Sequence, residues 1–374
     1  MAIPGTFQTY DLPTGIKLDV EDAIWLISPF DVPLQGGMGA DGRTALSTDT
    51  CFETKVEWLD EVLLTPKTTV ATAVATTTAT LVNVAATTGV NFQTGDVVQV
   101  DGEQLQITAY GTTVDWFVVT RGFNGTTATT FATGDTFIGV GSALAEGSVP
   151  PSARAIDRTD RYNRTQIFGP VAVSVSGTEQ VVQKYGLVST EFDHQVGNRI
   201  KEQAITMEYA LINGIPGAGS ATVGRTMGGL NYWISTNVDS SSTALTDSVI
   251  MVQAQACFDA GGNPDRLLLS SKSKRVVSAI DSTEIRYGQN TNIRGQVVDF
   301  YDTDYGRVSV ILDRWCLTNQ AFLFSRDQAT ICTLRPLQFE MLAKTGDFTQ
   351  GQVVGEKTLR FRMQSHSAKF TALT

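Results

Sequence analysis

The chain has 374 residues, 42% of them apolar and 18% charged, which is room for two or three domains with buried cores and too apolar for wholesale disorder. Its 38 acidic and 28 basic residues leave a net charge of −10, which excludes a general electrostatic affinity for nucleic acid. Four scattered cysteines fit neither a disulfide framework nor a CxxC metal site; with no signal sequence and no apolar run of membrane length, a soluble protein made in the cytoplasm is expected.

In chain order, residues 1–18 contain Pro4, Gly5, Pro13 and Gly15 and read as an extended arm. Asp19 can cap a short helix reaching Ile27, and the four glycines between Pro33 and Ser47 mark a loop. Between Cys51 and Leu64, Phe52, Thr54, Val56 and Trp58 alternate with Glu53, Lys55 and Glu57, the two-residue period of a strand.

From Pro66 to Ala145 the composition changes. Twenty threonines stand against two basic residues, Lys67 and Arg121, and valine, alanine and glycine dominate. Such sequence favours short antiparallel strands, so an all-β insertion, a small barrel or sandwich, is expected. Within it Phe-x-Thr-Gly-Asp occurs twice, at Phe92 to Asp96 and at Phe131 to Asp135. The two copies mark either two similar hairpins or two unrelated ones that share a common turn.

Residues 154–166 carry Arg154, Arg158, Arg161 and Arg164 against Asp157 and Asp160. They read either as a limb that clasps a neighbour's acidic surface or as an ordinary solvated ribbon. Val171, Val173 and Val175 then alternate into Ser176-Gly177-Thr178, where Thr178 or a neighbour can cap a helix.

The longest helical pattern runs over residues 189–215. Phe192, Val196, Ile200, Ala204, Met207 and Leu211 predict one apolar stripe, with Glu191, Asp193, Arg199, Lys201, Glu202 and Glu208 on the polar face and Asn213-Gly214 as the stop. A glycine-rich link over 217–229 follows. Then come a helix at 247–260 capped by Asp247, a buried strand at 266–270, a second helix at 273–281 and a loop at 287–295. Strands are expected at 297–301, 307–312, 321–325 and 330–334, and again around Leu359, Phe361 and Met363. The fold class is therefore α+β.

A search for chemistry yields little. His194 and His366 have no second ligand at metal spacing, and no Walker A, G-x-S-x-G or G-x-G-x-x-G motif occurs. No catalytic, cofactor-binding or metal residue is predicted, no cofactor is expected, and the chain does not read as an enzyme. Asn124 and Asn163 sit in glycosylation-type triplets that carry no meaning without secretion.

Several stretches resemble the major capsid proteins of tailed bacteriophages, a podophage-like subgroup of the Hong Kong 97 capsid fold. They are Glu57-Trp58-Leu59-Asp60, Arg161-Tyr162-Asn163, Gln166-Ile167-Phe168, the run from Val173 to Thr178, Leu334-Arg335-Pro336, the run from Leu342 to Asp347, and the run from Gly355 to Leu359. The resemblance covers nearly all of the chain outside 66–145. It implies an N-terminal arm (1–30), an extended loop hairpin (31–65 with 146–165), the β insertion (66–145), a peripheral domain (166–224 and 336–374) holding the spine helix 189–215, and an axial domain (225–335). It further implies a homo-oligomer of pentamers and hexamers forming an icosahedral shell in the virion, assembled in the host cytoplasm. Double-stranded DNA would lie inside without sequence-specific binding, scaffolding, portal and decoration proteins are candidate partners, and no membrane is involved. Arg154, Arg158, Arg161 and Arg164 are the candidate intersubunit contacts, opposite Glu53, Glu57, Asp60 or Glu61. The alternatives are an encapsulin-like compartment shell and a carbohydrate-binding β module in which Trp116, Phe117 and Phe123 stack on sugar.

Overall fold

The computed structural model describes residues 28–36, 46–149, 151, 154–156, 158–183, 190–241, 243–280 and 300–374. The helix expected at 19–27 and the loop expected at 287–295 lie outside the described residues. The chain divides into two compact units, one of residues 1–58 with 161–374 and the other of residues 59–160.

In the first unit, β1 (Ser47–Thr50), β10 (Gln166–Ser176), β16 (Ala329–Met341) and β17 (Phe348–Phe361) form a sheet in the order β1-β16-β17-β10. β1 runs parallel to β16, and the other pairs are antiparallel. β16 was expected to end at Leu334, before Arg335-Pro336. It continues because the ladder shifts register between Thr333 and Arg335 and again between Arg335 and Gln338, so the proline sits in a bulge where no ladder N–H is needed. β17 starts eleven residues before the apolar alternation at Leu359, since its first half is written in Gln, Gly and Thr and shows no period.

A second sheet has the order β11-β18-β15-β12-β14-β13, from β11 (Asn237–Asp239), β12 (Arg266–Leu269), β13 (Phe300–Thr303), β14 (Gly306–Leu312), β15 (Ala321–Phe324) and β18 (Ala368–Phe370). Its central strands are apolar throughout because both faces are covered. Leu268, Phe322 and Phe324 enter one core with Ile331, Leu359 and Phe361 of the first sheet. Leu267, Leu269 and Leu323 enter another with Ile250, Ala254 and Cys257 of α4 (Asp247–Asp259) and Val277 of α5 (Ser271–Ser278). Asp247 is not the cap of α4, as expected, but its first residue; Thr246 occupies the cap position, and the Asp247 carboxylate instead accepts the Tyr301 hydroxyl. At α1 (Gly177–Val181) the cap is Ser176, whose hydroxyl accepts from Glu179 N at 3.3 Å, and not Thr178.

The spine helix, α2, spans Glu191–Asn213, about 35 Å at ~1.5 Å per residue. Thr190 caps it by accepting from Asp193 N. Gly214 ends it where a Cβ would stand 2.5 Å from the carbonyl oxygens of Ala210 and Met227, a close approach that only glycine permits. Phe192 and Val196 pack with Val173, Val175 and Phe339, while Met207, Leu211 and Ile212 join the main core.

Two expectations for this helix are overturned. Ile200, placed on the apolar stripe, is 39% exposed, because the stripe outruns the cover that the described residues of its own chain provide. Glu208, placed on the polar face, is fully buried. The second half of the helix is enclosed on more than one side, including by the turn Pro33–Gln35, so one stripe no longer describes what is inside.

In the second unit, β3 (Lys67–Thr69), β4 (Leu81–Asn83), β5 (Asp96–Val100), β6 (Glu103–Tyr110), β7 (Trp116–Thr120) and β8 (Thr136–Ser142) form an antiparallel sheet in the order β3-β8-β5-β6-β7-β4. A bridge between Val70 and Val84, with Ala71 N donating to Asn83 O and Ala85 N to Thr69 O, brings the two outer strands together. The sheet thereby closes into a six-stranded barrel with no free edge. Asp101 and Gly102, both at positive φ, make the two-residue turn of the β5–β6 hairpin. Phe92, Phe117 and Phe137 meet in the barrel core with centroids 5.1 to 5.8 Å apart.

The repeated Phe-x-Thr-Gly-Asp is one turn built twice. In each copy the phenylalanine is buried, the glycine has positive φ (92° at Gly95, 97° at Gly134), and the aspartate accepts from the N–H three residues back. Those bonds are Gln93 N to Asp96 at 2.7 Å and Ala132 N to Asp135 at 2.6 Å. What repeats is the turn and the strand it launches; a hairpin follows only the first copy.

Candidate functional site

The charged residues singled out in the sequence lie on or beside the ribbon of β2 (Lys55–Glu61) and β9 (Arg158–Arg164). Alternation on β2 buries Val56 and Trp58 and turns Glu57 and Leu59 outward. Phe52, Leu59, Val62 and Leu63 are each more than 60% exposed, an apolar set that the described residues of its own chain leave uncovered.

Among the eight candidate contact residues, the structure pairs Arg158 with Glu61. Arg158 Nε lies 3.6 Å from Glu61 Oε1, both well exposed, so the pair contributes little to stability. Arg154 donates to the backbone oxygen of Asn91 at 2.6 Å, and Glu57 pairs with Lys55 on its own strand. Lys55 also stands 4.5 Å over the Tyr162 ring, and the Arg164 guanidinium lies 5.8 Å from the same ring. Glu53 is exposed, whereas Asp60 and Arg161 are half-buried and both engaged.

The residues that fix the root of the ribbon were not found by sequence reasoning. Asn163 is fully buried, and its amide is fully used. Nδ2 donates to Leu359 O at 2.6 Å and Gly228 O at 2.9 Å, while Oδ1 accepts from Gly228 N at 2.8 Å and Arg164 N at 2.9 Å. One side chain thus ties β9 to β17 and to the segment after the spine, which also rules Asn163 out as a glycan acceptor. Two residues on, buried Thr165 donates to Glu356 Oε1 at 2.6 Å, and the same carboxylate takes Arg225 at 2.6 Å and Arg335 at 3.3 Å. Burial works to raise the Glu356 pKa, but the bonds from Thr165 and Arg225 and the two guanidiniums together hold it below the usual carboxylate value. Trp58 meets Trp233 edge to face at 5.1 Å. Asn163 and Glu356 both fall in stretches that carry the capsid resemblance. The partners that join them to other segments, Gly228, Leu359, Thr165 and Arg225, are 65 to 196 residues away in sequence, so no local pattern exposes those contacts.

In the barrel, the carbohydrate reading needs Trp116, Phe117 and Phe123 on one face; Phe117 is fully buried, while the other two are half-buried. Arg121 is used internally. It forms a two-pronged pair with fully buried Glu103 (2.9 and 2.7 Å) and donates to carbonyls of Thr76, Ala79 and Thr129. Among the described residues no group of three His, Cys, Asp or Glu side chains could hold a metal ion, and no helix is long and apolar enough to cross a membrane. Burial raises the thiol pKa of Cys257 and Cys316 to about 12 and of Cys332 to about 11, which leaves them inert. Among the described residues the ribbon thus carries exposed apolar and charged side chains, and the buried bonds of Asn163 and Thr165 fix the end of β9 in the first unit.

A family model described as SU10 major capsid protein matches residues 3–374. A solved chain from Mycobacterium phage Bobi is similar over 97% of this chain and 98% of its own, with a TM-score of 0.52 and 11% identity. A chain from Microbacterium phage Oxtober96 aligns over 96% and 95%, with a TM-score of 0.49 and 9% identity. A chain described as the capsid of the native GTA particle aligns over 96% of both, with a TM-score of 0.49 and 9% identity. No curated protein matches the sequence.

Proposed function

The chain belongs to the SU10 major capsid protein family, and from that premise we propose that its copies close into pentamers and hexamers of an icosahedral shell around double-stranded DNA. A capsid protein is a structural component of the virion and not an enzyme. Its work is to present different, complementary surfaces to its neighbours, since such head-to-tail contacts close into rings. The observation that carries the reading is the family match over essentially the whole chain.

The ribbon supports the geometric part. A limb with Phe52, Leu59, Val62 and Leu63 exposed on a root fixed by Asn163 suits burial on a neighbouring copy, and stable obligate interfaces often exceed ~2,000 Å². In this reading residues 31–65 and 146–165 are the extended hairpin, 1–30 the arm, 166–224 with 336–374 the peripheral domain and 225–335 the axial domain. Residues 66–145 are an insertion on the outer face, where bulk does not obstruct DNA. Arg154, Arg158, Arg161 and Arg164 meet acids such as Glu53, Glu57, Asp60 or Glu61 across the interface. The DNA is held by enclosure, as a net charge of −10 offers it no attraction, and assembly takes place in the host cytoplasm beside separate scaffolding, portal and decoration proteins.

Cryo-electron microscopy of particles from the expressed protein tests this. Closed shells with the barrel outside are expected, and Arg158→Glu with Arg161→Glu should abolish them while leaving a folded chain. Unchanged particle yield from that double variant would defeat the clasp, and a barrel inside the shell would defeat its placement.

A further inference from the structure

A buried acidic cluster lies away from the ribbon, where residues 31–36 meet α2. Glu208 of α2 is fully buried, yet no cation pairs with it among the described residues. Its oxygens instead hold the incoming segment. Leu34 N donates to Oε1 at 2.7 Å, and Gln35 Nε2 donates to Oε2 at 2.8 Å and to Ala204 O at 2.8 Å. Val32, Pro33 and Leu34 are buried beside it. The charged groups that face Glu208 are acids. Asp313, in the connection between β14 and β15, is also fully buried; its Oδ1 accepts from Trp315 N at 2.8 Å, and its Oδ2 has no partner. Asp31, on the segment itself, pairs at 3.8 Å with Arg314, and its carbonyl oxygen accepts from Trp315 Nε1.

We propose that Glu208, with Asp313 and Asp31, forms an acid latch that holds residues 31–36 on the spine helix while Glu208 keeps its proton and loosens them as that proton is lost. A neutral carboxyl can sit in this site because it adds no charge beside two others. An ionised one places a second unpaired charge in the protein interior, a state relieved when the segment moves and water enters. The electrostatics agree. Burial first, then the charge of Asp313, raises the Glu208 pKa to about 8 against the pull of the Gln35 and Leu34 bonds, and burial raises Asp313 to about 6. The latched state therefore binds more protons than the open one between the ordinary carboxylate range and about pH 8. The latch is firm in acid, weakens by up to tenfold per pH unit through that window, and changes no further above it.

This device is separate from shell formation and is read in the unassembled full-length chain. Hydrogen exchange of the amides of residues 32–36, corrected for the intrinsic rate, is compared at pH 5.5 and pH 8. Protection is expected to fall more than tenfold, and in Glu208→Gln it should stay high at pH 8, with Glu208→Gln/Asp313→Asn flat across the range. Equal protection at both pH values, or an unchanged pH dependence in the double variant, overturns the latch. If the variants do not fold, infrared difference spectra of the natural chain decide: a protonated-carboxyl band present at pH 6.5 and lost by pH 9 supports it, and absence of the band at pH 6.5 refutes it.

Discussion

Arg121→Met should be the most damaging single change in the β-barrel. The Arg121 side chain is 8% exposed and its partner Glu103 is fully buried, so the two form a two-pronged ion pair largely shielded from solvent. Gly122 N and Thr129 N also donate to Glu103, each at 2.8 Å, and the guanidinium sits 4.7 Å over the Phe131 ring. Methionine keeps the stem and deletes the charge, leaving Glu103 with two N–H donors and no cation. Removing one member of a buried pair costs roughly 3–5 kcal/mol, a large share of the ~5–15 kcal/mol that holds a domain together. Glu103→Gln in the Arg121→Met background buries no charge and its single amide oxygen still accepts one of the two N–H groups, so about 1 kcal/mol should return. Urea unfolding of the full chain, with hydrogen exchange over residues 103–110 to localise the loss, measures both. The pH dependence should also change sign. Burial works to raise the Glu103 pKa, but the bonds from Arg121, Thr129 and Gly122 hold it below the ordinary value, so its stabilisation is present above the unfolded pKa and lost as pH falls through the lowered one. Without Arg121 burial is left to dominate, and acid should relieve the defect. A cost below about 1 kcal/mol, or costs that simply add, would refute this account of the network.

Other changes probe the remaining structure. Asn163→Ala strands the Gly228 N–H and the carbonyls of Gly228 and Leu359, each worth roughly 1–3 kcal/mol if left unpaired, and exchange in β9 and the start of β17's partner segment should rise well before global unfolding. Gly134→Ala forces alanine to φ 97° in open space, so only backbone strain acts; about 1 kcal/mol lost in urea titration is expected, and no loss would contradict the turn geometry. Ile200→Asp should fold with a small shift in melting temperature, because the side chain is 39% exposed, while particle yield by electron microscopy should drop. An unfolded product would mean that the helix face is covered within its own chain.

The sequence was most readable where one face of an element meets one partner. β2 alternates as its residues predict, and β12 and β15 are continuous apolar runs because both faces are covered; the alternation expected through Met363 fails, since Thr358 is buried beside Leu359 and Met363 lies past the end of β17 and is exposed. The threonine-rich block announced short antiparallel strands, although closure into a barrel rests on the Val70–Val84 bridge, two valines among many. The reading failed where polar residues are spent inside. Glu208 looked like part of a wet helix face, since nothing in its own turn says that residues 34 and 35 will arrive to use its oxygens. Asn163 looked like part of a solvated, arginine-rich strip for the same reason. Polar groups that bridge distant segments carry no period, so helical or strand spacing cannot find them.

That failure bears on how a shell subunit works. Across the ribbon, the polar contacts divide by depth. At the root, Asn163, Thr165 and Glu356 have their hydrogen-bonding capacity met within the chain and fix a direction. In the part of the ribbon that leads into the second unit, Glu61 and Arg158 are paired only loosely at 3.6 Å, and Leu59, Val62 and Leu63 are exposed among the described residues. Satisfied groups contribute rigidity and unsatisfied surface contributes affinity, so a limb of this kind can reach a neighbour without a large entropic cost of ordering itself on arrival. Loosening the root should then weaken assembly even though Asn163 is fully buried within its own chain. Asn163→Ala particles, compared at equal subunit concentration under conditions where the chain remains folded, should need a higher concentration to form. An unchanged threshold would mean that the order of the limb comes from the neighbour and not from its own root.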